Sequence, residues 1–227
     1  MIRIVFENVH FVICDKPAGV LSTPSRMGAE DERNVLGTAL QKQLGIQIYP
    51  VHRLDFEVSG LVMYAKSADA HRKANAWFEH KTVSKTYRAL TTSQDYSHIP
   101  ANVKNPREKF TVNVGQNFEW KSRILRGKRR AFESPEGKDA LTLAQFLGVN
   151  EKGQWQWDLQ PVTGRSHQLR FDLSRHGFPI LGDELYGSKV KWQGEDSIAL
   201  RAYQIDFSKA PGADALQLPK IIKIEGL

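Results

Sequence analysis

The sequence predicts an α+β domain, mixed in its order of elements, with a central, mostly antiparallel sheet and a few packed helices. Three observations predict it. Alternating apolar and polar positions recur from Ile2 to Phe207, whereas only three segments carry helical spacing. Strands and helices do not alternate strictly, which argues against a doubly wound nucleotide fold. No Gly-x-Gly-x-x-Gly or P-loop pattern occurs.

Taken in order, Ile2 to Cys14 reads as one or two strands, ended by the turn Asp15-Lys16-Pro17-Ala18-Gly19. Val35 to Leu44 has helical spacing, with Asn34 as its N-cap. Gly60 marks a turn ahead of Leu61-Val62-Met63-Tyr64-Ala65, an apolar run of core-strand length. Ser67 to Lys81 is a stronger helix: Ser67 caps it, and Ala70, Ala74, Trp77 and Phe78 form one apolar stripe, so Trp77 is expected in the core. Ser84 to Leu90 alternates as a strand. Phe110 to Val114 and Trp120 to Leu125 form a further candidate pair, as do Leu141 to Val149 and Trp155 to Leu159. Asp95 to Glu108, with two prolines, is the best loop. Ser166 to Arg175 reads as a helix closed by Gly177 at C′, and Ile198 to Phe207 as a late strand.

The chain has 227 residues and a formal charge of +7, which favours anionic partners and nucleic acid above all. Cys14 is the only cysteine, which excludes an intramolecular disulfide and a thiolate metal cluster and fits a reducing, cytoplasmic setting. It lies in an apolar run and is expected to be a buried, structural thiol. No leader-like pattern and no apolar run of membrane-spanning length is visible. No internal repeat or low-complexity segment occurs.

The chemistry-bearing stretch is Val51-His52-Arg53-Leu54-Asp55, followed by Ser59-Gly60-Leu61-Val62. In extended geometry Arg53 and Asp55 share one face, and His52 and Leu54 the other. A carboxylate in a loop anchored by a core strand is held rigidly at a surface, as a catalytic group must be. An ordinary exposed Arg–Asp pair has the same signature. A second constellation is Thr163-Gly164-Arg165-Ser166-His167-Gln168-Leu169-Arg170, read as a strand end, a glycine turn and a helix start, followed by Gly182-Asp183-Glu184-Leu185-Tyr186-Gly187.

With Asp15-Lys16-Pro17-Ala18-Gly19, these segments resemble the RluA-type family of RNA pseudouridine synthases from about Asp15 to about Phe207. That family's motifs are His-Arg-Leu-Asp, two variable residues and Thr-Ser-Gly-Leu, then Gly-Arg-Thr-His-Gln-Leu-Arg, then Gly-Asp-x-x-Tyr-Gly. All occur here in family order. Val58 and Ser166 replace threonines, and Arg201 stands where a His usually precedes the Ala.

The resemblance implies a pseudouridine synthase-like fold, a sheet in two halves flanked by helices with the active cleft between them. It implies one catalytic domain over residues 1–227, without the N-terminal S4 domain many members carry. The implied activity isomerises specific uridines in structured rRNA or tRNA, with no cofactor and no metal. Asp55 is the implied catalytic carboxylate, with Arg165 beside it and Tyr87, in Lys85-Thr86-Tyr87-Arg88-Ala89, stacking on uracil or moving the C5 proton. Arg53 is implied to contact the RNA backbone or fill the space of a flipped nucleotide, with His52 beside it; Leu169 is implied to line the pocket, although core packing explains it equally. Asp183 and His167 are expected to serve the fold.

Arg126, Lys128, Arg129 and Arg130 form a basic segment with Lys121, Arg123 and Lys138, interleaved with Trp120 and Phe132, which could stack on bases. A solvated hairpin is the competing reading. RNA is the expected partner, without membrane or obligate protein partner, and the chain is expected to be a monomer. A non-catalytic RNA-binding protein and a glycosidase are the alternatives; hydrolytic glycosidases need a second carboxylate that this setting lacks.

Overall fold

The computed structural model describes residues 2–25, 27–99, 109–194 and 196–227. In chain order its strands are β1 (Arg3–Glu7), β2 (Phe11–Lys16), β3 (Tyr49–Pro50), β4 (Ser59–Ala65), β5 (Ser84–Thr91), β6 (Asn117–Arg126), β7 (Ala131–Glu133), β8 (Lys138–Val149), β9 (Trp155–Pro161), β10 (Leu200–Asp206) and β11 (Ile221–Lys223). The α-helices are α1 (Leu36–Leu44), α2 (Ala68–Glu79) and α3 (Gln168–Arg175). The chain forms two compact units, one of Met1–Lys85 with Ala202–Gly226, the other of Thr86–Arg201. This is the α+β architecture expected.

In the first unit β2 pairs antiparallel with both β1 and β4, β3 adds to β4, and β11 pairs with β10. Phe11, Ile13, Leu61 and Met63 from the sheet meet Ala70, Ala74 and Trp77 from α2 in one buried cluster. That is the helical stripe read from the sequence, and Ser67 caps the helix by accepting from the Ala70 amide at 3.2 Å. Burying each large side chain here stabilises the fold by roughly 1.5–3 kcal/mol. Cys14 is fully buried, and burial pushes its thiol up to about 12, so it is a structural group.

Two local expectations fail in this unit. Asn34 does not cap α1: Val35 is the N-cap, and the Asn34 carbonyl instead accepts from Leu21 N. Gly60 is not a turn but lies inside β4, with φ 115°; a Cβ there would stand 2.1 Å from the Ala202 carbonyl oxygen, so close strand approach demands the glycine.

The second unit is an antiparallel run in the order β5-β9-β8-β6-β7. Its core is aromatic: Trp157, fully buried, contacts the rings of Phe118, Trp120, Phe146 and Phe178. Phe110 to Val114 is not a strand. Phe110 packs edge-on against Phe118, His176 and Phe178, and the chain turns at Gly115 before β6 begins. The expected loop is described only to residue 99; its remainder lies outside the described residues. Helix α3 starts at Gln168 rather than Ser166, because His167 takes a left-handed conformation, φ 54°. Gly177, φ 83°, follows the helix as expected.

Candidate active site

Asp55 sits in the first unit at the mouth of a tight turn in which its carbonyl accepts from Val58 N at 3.2 Å. The chain before it is fastened at two points. Val51 N donates to Met63 O on β4 at 3.1 Å. The Ser22 hydroxyl donates to Leu54 O at 3.1 Å and accepts from Leu54 N at 3.0 Å, satisfying both backbone groups of the residue beside Asp55. Burial follows the expected alternation: Leu54 is buried, Arg53 exposed and Asp55 half-buried.

The turn rests on a residue to which the sequence assigned no role. Lys16 is fully buried at the end of β2, and its ammonium donates to Pro17 O at 2.9 Å, Val20 O at 2.7 Å and Phe56 O at 3.2 Å. Burial pulls Lys16 down to about 8, opposed by the negative charges of Asp55 and Glu57. The three carbonyls and two carboxylates are what keep this cation in the interior. A lysine is thus the keystone of the carboxylate's turn, and the sequence shows it only as one member of the Asp15-Lys16-Pro17-Ala18-Gly19 turn, with no role of its own.

The His52 ring stacks on Phe78 of α2 with centroids 5.1 Å apart, and both its nitrogens are buried without a hydrogen-bond partner. Burial, reinforced by the positive charge of Lys85, holds the imidazole well below its ordinary value and hence neutral.

Tyr87, Arg165 and Leu169 belong to the second unit. Tyr87 is buried on β5, opposite Leu159 of β9. Leu169 is buried in α3. Arg165 lies three residues before α3, not in its first turn. Its guanidinium donates to Asp139 O at 2.9 Å. Gln168 fixes its main chain: Oε1 accepts from Arg165 N at 3.0 Å and from the Thr163 hydroxyl at 2.7 Å, while Nε2 donates to Leu141 O and Thr142 Oγ1, each at 2.9 Å. Thr142 in turn donates to the buried Asp172 at 2.7 Å, a carboxylate that burial pushes up to about 6.

The basic segment is the tip of the β6–β7 hairpin, where Arg126, Lys128, Arg129 and Arg130 are all exposed. Phe132 is exposed, but Trp120 is buried and stacks on His176 at 4.6 Å, so it is not open to a base as expected. Strand alternation is the reason: Trp120, Ser122 and Ile124 face in, Lys121 and Arg123 out. The hairpin is anchored by Tyr186, whose hydroxyl accepts from Ala131 N at 2.7 Å and lies 3.1 Å from His167 Nδ1. Tyr186 follows Asp183, which holds Arg170 through two bonds of 2.7 and 2.8 Å, with both side chains buried. Asp183 and His167 therefore serve the fold.

Comparison with known proteins gives one answer. Residues 10–175 match the family described as RNA pseudouridylate synthase. The chain is 31% identical over 204 residues to the dual-specificity RNA pseudouridine synthase RluA of Pasteurella multocida, covering 90% of this chain and 85% of that protein. It is 34% identical over 187 residues to an uncharacterized RNA pseudouridine synthase of Helicobacter pylori, covering 82% of this chain and 58% of that one. The fold is similar to human RNA pseudouridylate synthase domain containing 4, with a TM-score of 0.68 and 20% identity over 99% of this chain and 88% of that one.

Proposed function

The chain belongs to the RNA pseudouridylate synthase family and is an RNA-modifying isomerase, and from that premise we propose that Asp55 is the carboxylate with which it converts uridines in structured rRNA or tRNA to pseudouridine. The observation that carries this reading is the fastening of Asp55: a half-buried carboxylate on a turn clamped by Ser22 and Lys16, inside the matched family segment. A fixed charge is what the reaction requires.

The reaction breaks the C1′–N1 bond, turns the base and joins C5 to C1′; the hydrogen on C5 leaves as a proton and N1 takes one up. Asp55 acts at the ribose, by bonding to C1′, by stabilising its positive charge, or by taking a proton from C2′. Tyr87 acts on the uracil ring, by stacking and by handling the C5 proton. Arg165 keeps the carboxylate ionised as positive neighbouring charge. Arg53, with His52 and Leu169, serves the flipped nucleotide, whose extrusion costs about a few kcal/mol. The proposal treats residues 1–227 as one catalytic domain, working as a monomer in the cytoplasm. Among the described residues no helix is long and apolar enough to cross a membrane.

The test of the activity is tritium release from bulk RNA labelled at uridine C5, taken from cells lacking this protein. Release by the native chain is expected; tight RNA binding without release would favour a non-catalytic binding protein. The hairpin gives a second expectation. Neutralising Arg126, Lys128, Arg129 and Arg130 together raises the Kd for RNA at least about tenfold and flattens its salt dependence by about one unit of slope for each phosphate no longer neutralised. Because all four side chains are exposed, the unfolding midpoint stays within about 2 °C. Unchanged affinity at fixed salt would remove the hairpin from the RNA surface.

A further inference from the structure

Among the described residues, the two fully buried cations are matched to acceptors: Lys16 has three carbonyls, and Arg170 has Asp183. Arg88 pairs with Asp158 at 2.7 Å, and Arg175 with Glu133 at 3.0 Å. Lys85 departs from this pattern. Its ammonium lies 5.3 Å from the centroid of the Phe78 ring and makes no hydrogen bond or ion pair with any described residue. Burial alone pulls it down to about 8, and no carboxylate works against that pull. Lys85 is half-buried, and its ammonium, set against one ring face, has no acceptor among the described residues for its three N–H bonds.

Its surroundings belong to the catalytic segment. Phe78, which lies under Lys85, also carries the His52 ring, and the positive charge of Lys85 reaches His52. The imidazole is neutral and its nitrogens are sealed, so it offers Lys85 no counter-charge. The next residue, Arg53, is exposed and likewise has no partner among the described residues. Two cations at the start of the Asp55 segment therefore stand without an anion among the described residues.

We propose that Lys85 is the seat of an RNA phosphate flanking the nucleotide on which Asp55 acts. The inference rests on the reading that the chain acts on RNA and adds a residue to its substrate contacts. A phosphodiester oxygen supplies the missing acceptor, and the aromatic shelf of Phe78 and His52 holds the lysine stem so that little side-chain freedom is lost on binding. Arg53 and Lys85 together then grip the backbone at the target nucleotide, while the exposed hairpin serves phosphates farther along the strand.

The test compares the native chain with Lys85→Met and Lys85→Arg. Methionine keeps the apolar stem on Phe78 and removes the charge. The probe is bulk tRNA and rRNA from cells lacking the enzyme, with Kd measured across a salt series and tritium release measured in parallel. For Lys85→Met the Kd is expected to rise about tenfold and the slope of log Kd against log salt to fall by about one. The catalytic loss falls on KM rather than kcat, the unfolding midpoint stays level or rises, and Lys85→Arg restores the slope. An unchanged slope in a variant that still releases tritium overturns the proposal, as does a weaker affinity at unchanged slope joined to a lowered midpoint, which marks a structural lysine. A native chain that neither binds RNA nor releases tritium overturns the functional reading itself.

Discussion

Asp55→Asn is expected to abolish tritium release, a fall of at least about 10⁴-fold, because no other group can replace a nucleophilic or charge-stabilising carboxylate at C1′. Asparagine is the informative replacement, since it keeps the shape of the side chain and removes only its charge. The backbone clamp does not depend on that charge: Ser22 binds Leu54, Lys16 binds Phe56 O, and Val58 N binds the Asp55 carbonyl. The folded state loses one of the two carboxylates that oppose the burial of Lys16, and Glu57 remains. Thermal unfolding should therefore stay within about 4 °C of the native value, and RNA binding should persist. A variant that retains more than about a hundredth of the native rate would take Asp55 out of the chemistry.

Much of this architecture was legible because local signals agreed. Helix α2 announced itself through the Ser67 cap and a stripe at helical spacing, and the structure places both where they were read. The apolar run of β4 and the alternation of β5 were equally plain. Strands β3, β7 and β11 were not, since two or three residues are too few to show a period. Phe110 to Val114 alternates like a strand, yet it turns at Gly115 before any ladder forms. Asn34 looked like a cap, but tertiary pairing with Leu21 took its backbone.

The site divides in the same way. His52 to Asp55 is a contiguous motif and was readable. Lys16 and Ser22 meet the turn only through space, across |i−j| separations of 40 and 32 to Phe56 and Leu54, and no local pattern encodes that. The inward face of Trp120, by contrast, is encoded locally. Its neighbours Lys121 and Arg123 read as exposed, and a period of two then sends Trp120 inward.

The second large effect lies at Arg170 and Asp183. With side chains only 2% and 1% exposed, the pair is held by two bonds, and the guanidinium lies 5.3 Å from the Tyr186 ring centroid. Asp183→Ala leaves a buried guanidinium without its carboxylate. The expected cost is about 3–5 kcal/mol, or a Tm lowered by roughly 6–12 °C or more, read by urea and thermal unfolding. Replacing both members, Arg170→Met with Asp183→Leu, should recover much of that loss, because the desolvation cost disappears with the charge. The Tyr186 hydroxyl, three residues beyond Asp183, accepts from Ala131 N, so loosening the pair should also release the basic hairpin and weaken RNA binding. The two carboxylates then separate by experiment. Asp55→Asn loses rate and keeps stability, whereas Asp183→Ala loses stability and, in the fraction still folded, keeps its rate at saturating RNA. If the folded fraction of Asp183→Ala were as inactive as Asp55→Asn, Asp183 would have to be given a place in the chemistry that its burial against Arg170 argues against.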